Sequence, residues 1–173
     1  MSRTHVIIRA FLVLALVALA AEVTAQTPTT GAGWRPFEGE WSAAGTRQTL
    51  PTEGDRPAAI VQVSGAVVLG SGEGLSRGFR GEAIFFYDGG SLGVGRWVWT
   101  DDRGDRIFSA LKGEALETGR SITGTITGGT GRYAGVAGEF SFPWQYVVNA
   151  EDGVIQGRTV GLKGRVRLGA VPR

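Results

Sequence analysis

The chain has no cysteine, and its single histidine, His5, sits in the first few residues. Without cysteine there is no disulfide framework, no thiolate nucleophile and no lipid attachment at a lipobox. Loss of the N-terminus on export, argued below, removes the histidine as well. A mature chain without either residue cannot run a Ser-His-Asp or Cys-His triad, nor build the usual zinc site. Acid–base work would fall to Asp, Glu, Tyr, Lys or Arg. Proline is scarce, at 6 of 173 residues, and no window keeps a helical period. A run long enough to span a bilayer is also missing, since the one apolar stretch, Ala10–Ala21, holds only a dozen residues. Charge of one sign is not in excess: the full chain has 18 basic and 16 acidic residues. Lys163, Arg165 and Arg167 form the one basic cluster, and their alternate spacing marks a solvated strand face, so nucleic acid is not expected. Asp101-Asp102-Arg103-Gly104-Asp105 has an arginine in the middle of what a calcium loop would need, and reads as a turn. Neither a metal nor a cofactor is expected.

What is present begins with an export signal. Arg3 and Arg9 precede the apolar run, and Val23-Thr24-Ala25 supplies small residues for cleavage before Gln26. Residues 1–25 are thus expected to be removed, and the product to be secreted or periplasmic, with no membrane contact after cleavage. Residues 26–36 are Thr- and Gly-rich and read as a flexible leader, and residues 37–170 form one domain of ordinary size. The 29 glycines are scattered among Val, Ile, Phe and Trp, which suits short strands with tight turns and bulges. Strands are predicted near Glu40–Thr49, Ala59–Leu69, Gly78–Tyr87, Gly93–Thr100, Arg106–Leu116, Arg120–Thr127, Gly138–Val148 and Val154–Leu168. Eight strands with short connections predict an all-β fold, an eight-stranded antiparallel up-and-down barrel without free edges, with a sandwich as the alternative. A Gly-Glu pair recurs at Glu40, Glu73, Glu82, Glu114 and Glu139; bulge glycines beside solvated glutamates account for it better than a carboxylate ring.

The segment Ile126-Thr127-Gly128-Gly129-Thr130-Gly131-Arg132-Tyr133-Ala134-Gly135 has the look of a dinucleotide fingerprint. That fingerprint needs a helix after the turn, inside a parallel βαβ unit. Glu139-Phe140-Ser141-Phe142-Pro143-Trp144 follows instead, alternates like a strand, and carries a proline that would interrupt a helix. The nucleotide reading is therefore set aside. Over residues 121–142 the sequence resembles the Gly-Gly-Thr-Gly-Arg-Phe/Tyr segment of the allene oxide cyclase and dirigent barrel superfamily. This likeness implies a calycin-like barrel, and a homotrimer as one assembly. It also implies a cofactor-free cyclase or isomerase as one activity. In the turn itself, Arg132 and Tyr133 are expected to anchor a glycine-rich backbone.

One face of a barrel strand points inward. Phe140, Phe142, Trp144 and Tyr146 share such a face, and Trp97 and Trp99 share another. By the similarity to spirotetronate cyclases of this superfamily, Phe142 and Trp144 align with lumenal aromatics. In the last strand Val160, Leu162, Val166 and Leu168 make the apolar face, which Gln156 and Arg158 continue toward one end. An inward arginine there would need a partner or await an anionic ligand, and at the barrel mouth it could equally snorkel to water. The expected ligand site is Trp97, Trp99, Phe142, Trp144, Tyr146 and Arg158, around a small hydrophobic molecule. Glu82 and Glu139 are the candidate acid–base groups, and no catalytic constellation is visible. Three readings stay open: an exported binder of a small hydrophobic molecule, a cyclase or isomerase shaping a reactive substrate, and a structural barrel with a filled core.

Overall fold

The computed structural model describes residues 33–53, 56–89, 92–114 and 121–169. The expected export signal lies outside the described residues, as does the leader up to residue 32. Nine strands follow: β1 (Arg35–Leu50), β2 (Ala58–Gly72), β3 (Gly78–Tyr87), β4 (Leu92–Thr100), β5 (Arg106–Glu114), β6 (Ser121–Gly129), β7 (Ala137–Asn149), β8 (Val154–Thr159) and β9 (Leu162–Arg167). β1 begins inside the stretch expected as leader. The preceding Trp34 explains why: the guanidinium groups of Arg165 and Arg167 lie over its ring at 5.1 and 5.5 Å, tying the chain to β9.

Each strand runs antiparallel to its neighbours, and β1 closes the ring. One side of β1 pairs with β2 along nearly its whole length. The other side pairs with β8 and then with β9, which also share β7 on their far side. The last two strands are therefore one stave, and the fold is an eight-staved antiparallel barrel. Burial alternates along the staves, strictly so in β3, because successive side chains point to opposite faces of a sheet. The turn after β6 is a single turn of 3-10 helix, Gly131–Tyr133, followed by the antiparallel β7; it is no nucleotide-binding element.

The break in the last stave corrects one expectation. Ser42 faces Arg158 and Gly39 faces Leu162, so β1 advances three residues where its partner advances four. The extra residue falls at Val160-Gly161, where Gly161 takes a φ of +69°. Because the side-chain period is two, one extra residue reverses the facing of everything on one side of it. Leu162 and Val166 point inward as expected, but Gln156, Arg158 and Val160 are exposed on the outer wall. At the break the ladder is patched by a side chain: the buried Thr159 hydroxyl accepts the Trp41 amide at 2.8 Å. The Val160 amide donates to the Pro143 carbonyl at 3.1 Å.

Inside, the barrel is filled by rings. Trp41, Trp97, Trp99, Phe37, Phe140 and Phe142 stack edge-on or tilted, with Trp41 and Trp97 only 4.3 Å apart. Each fully buried ring removes roughly 150–250 Å² from water, worth about 4–6 kcal/mol before entropy is counted. The indole N–H groups of Trp41, Trp97, Trp99 and Trp144 are buried and find no acceptor. Each costs about 1–3 kcal/mol, so packing outweighs hydrogen bonding in this interior.

Candidate functional site

The two ends of the barrel are built from different materials. At one end the turn 101–105 meets the turn 130–135. The Asp101 carboxylate, wholly covered, accepts the amides of Arg103 (2.8 Å) and Asp105 (3.0 Å) and the Arg132 Nε (2.8 Å). Arg132 Nη2 donates to the same oxygen as Nε. The Asp105 carboxylate accepts the Arg132 amide at 3.2 Å. Tyr133 is buried against Phe79, with centroids 5.9 Å apart, and its hydroxyl accepts the Ser76 amide at 3.2 Å. Burial pushes the Asp101 carboxyl up, but the hydrogen bonds from Arg103, Arg132, Asp105 and Tyr133 outweigh it and leave the group below its ordinary 3.8. Tyr133 is raised above 10, chiefly by burial. Arg132 and Tyr133 thus hold the turn, as their place in the sequence led us to expect. This end is closed by a clasp in which Asp101, Asp105, Arg132 and Tyr133 bond one another and the turn backbones.

The opposite end carries the barrel's small cavity. Its volume is about 20 Å³, and Trp41, Val61, Phe85, Leu111, Ile122 and Trp144 are among its walls. One water fits such a space, but a water needs two to four polar partners and these walls are apolar, so the cavity favours hydrocarbon. Above it Tyr146 meets Trp144 edge-on at 6.1 Å, and Phe85 lies along Tyr87 at 4.8 Å. Trp144 reaches this position because Gly157 has no side chain: a Cβ there would lie 2.3 Å from the indole. Arg47, from β1, turns inward beside Tyr146. Its Nε is buried without a hydrogen-bond partner. Burial raises Tyr146 above its ordinary 10, and Arg47 works against that rise. Near the same end Ile60, Phe86, Leu92, Val94 and Val154 alternate with inward-facing neighbours and expose their apolar side chains on the outer wall.

The expected site residues divide accordingly. Trp97, Trp99, Phe142 and Trp144 all face inward, at 0–2% exposure, and join one ring cluster. Phe142 and Trp144 border the cavity, whereas Trp97 and Trp99 lie beneath it in solid packing. Tyr146 stands in the mouth, half-buried. Arg158 is not brought to them: it sits on the outer wall, where its Nε donates to Gln145 Oε1 at 3.1 Å. Glu82 and Glu139 also face outward, paired with Arg80 (2.8 Å) and Arg165 (2.7 Å), and neither reaches the interior. Three residues were missed by sequence reasoning. Trp41 and Arg47 share a parity on β1, so the alternation that found Trp97 and Trp99 would have found them too. Asp101 had only its place in a turn, and nothing in the sequence marked it as buried.

No family model matches the chain, and no curated protein does. Among solved structures it is similar to a pterocarpan synthase dirigent protein, at 10% identity and a TM-score of 0.48, over 87% of this chain and 100% of that one. A second pterocarpan synthase dirigent protein gives 14% identity and a TM-score of 0.42, over 79% and 97%. A pyocyanin demethylase gives 16% identity and a TM-score of 0.41, over 73% and 99%. At such identities and scores the likeness concerns fold and transfers no activity.

Proposed function

We propose that the open mouth binds a small apolar molecule, without chemistry on it. The observation that carries this reading is the contrast between the ends. One is locked by a hydrogen-bonded clasp; the other places a wholly apolar cavity beneath the rings of Trp144 and Tyr146. A preformed pocket for a drug-sized ligand measures roughly 300–1,000 Å³. The resting cavity takes only the tip of such a molecule, and the rest lies in the mouth against Trp144 and Tyr146. No described side chain pairs a nucleophile with a base at this end, which favours binding over catalysis.

Isothermal titration calorimetry with decan-1-ol tests the reading. Saturable one-to-one binding is expected, and it should weaken at least about tenfold in Val61→Phe, which fills the cavity by overpacking. Leu111→Phe serves the same end if the first variant does not fold. Absence of saturable heat, or unchanged affinity in a folded filled-cavity variant, refutes binding at this mouth.

A further inference from the structure

Resting on that reading, we infer that the molecule bound at the mouth carries an anionic head on its apolar body, held by Arg47 with help from Tyr146. Arg47 differs from the barrel's ion-paired arginines. Arg80, Arg132 and Arg165 each meet a carboxylate within 2.8 Å. Among the described residues, no ion pair engages Arg47, although it turns inward and its Nε is buried. A guanidinium nitrogen withdrawn from water with nothing to donate to is poorly satisfied, and a bound acceptor would satisfy it.

The neighbouring groups fit an anion of modest size. The Tyr146 hydroxyl stands beside the guanidinium. A tyrosine hydroxyl is protonated at neutral pH, so it offers a second donor. A planar guanidinium fork suits a carboxylate, which takes two parallel hydrogen bonds from it. The charge sits at the rim of an apolar funnel, with Trp144 edge-on below Tyr146. A molecule matching both parts has one charged end and a hydrocarbon or aromatic body. Arg158, exposed and already bonded to Gln145, offers none of this.

The test compares three head groups on one tail by titration calorimetry: decanoate, decan-1-ol and decylammonium. Decanoate is expected to bind about tenfold more tightly than the alcohol, the gain of charge-assisted hydrogen bonding in a partly solvated site, and the amine most weakly. Arg47→Met, which keeps the apolar stem, should bring acid and alcohol to equal affinity. Arg47→Lys should restore part of the preference through charge alone, and Tyr146→Phe should reduce it. Equal affinity for acid and alcohol in the unaltered protein overturns the head-group inference and leaves apolar binding standing. So does a preference that survives Arg47→Met. If none of the three binds, the proposed function falls with it.

Discussion

The two ends of this barrel share the same eight staves and solve opposite problems. At the closed end a buried carboxylate, Asp101, has donors on every side, and Arg132 and Tyr133 complete the clasp. At the open end the cation is Arg47, its Nε buried and unpartnered beside the Tyr146 hydroxyl, and no carboxylate engages it among the described residues. A polar group fully satisfied within the chain stabilises the fold, whereas one left incomplete costs stability and is free to meet a ligand. The contrast lies in satisfaction rather than in composition: both ends have an arginine and a tyrosine.

The largest effect is expected from breaking the clasp. Asp101→Ala leaves Arg132 and two amides without their acceptor, and should lower unfolding stability by about 3 kcal/mol, the lower edge for a buried ion pair because Arg132 is partly solvated. Arg47→Met removes an unsatisfied buried nitrogen and should leave stability unchanged or raise it, by up to about 1 kcal/mol. Urea unfolding of both variants checks the difference, and equal losses would erase the distinction between the ends.

The next effect lies in pH. Asp101 titrates below its ordinary 3.8 in the folded protein, so the stability it adds is present above 3.8 and fades as pH falls through the folded value. Asp101→Asn should flatten this acid limb, measured as the urea midpoint between neutral pH and pH values below 3.8. Tyr146 has the opposite sign. Its folded pKa is raised, so its contribution is complete below pH 10 and is lost as pH rises through the folded value. Tyr146→Phe should leave the acid limb untouched. The smallest effect is expected at Arg158. Its replacement by Ala should alter stability by no more than about 0.5 kcal/mol and leave decan-1-ol affinity unchanged, since it lies on the outer wall. A binding defect there would reopen the facing of β8.

The barrel was legible in the sequence because alternation is a direct consequence of strand geometry. The faces of β4 and β7 followed from it, and Trp97, Trp99, Phe142 and Trp144 point where the pattern put them. The last stave was not legible, because Val160-Gly161 inserts one residue that leaves no mark on composition yet reverses the parity of Arg158. An inward arginine was expected at position 158, which lies on the outer wall. Arg47 turns inward instead, on a strand whose parity was readable from Trp41. Asp101 and the cavity were beyond reach for another reason: burial of a turn carboxylate and free volume between rings depend on how distant staves pack, which no local pattern encodes.

The stacked tryptophans also give the molecule an optical character. Trp41 lies 4.3 Å from Trp97 and 5.3 Å from Trp144, and Trp97 lies 4.9 Å from Trp99. Indoles this close, fixed in unlike orientations, share their electronic excitations, so the folded barrel should show a split circular-dichroism band that an isolated indole lacks. Trp144 is the member at the mouth. A guest that settles beside Trp144 should therefore perturb that shared band, and the chain would need no added label to show it.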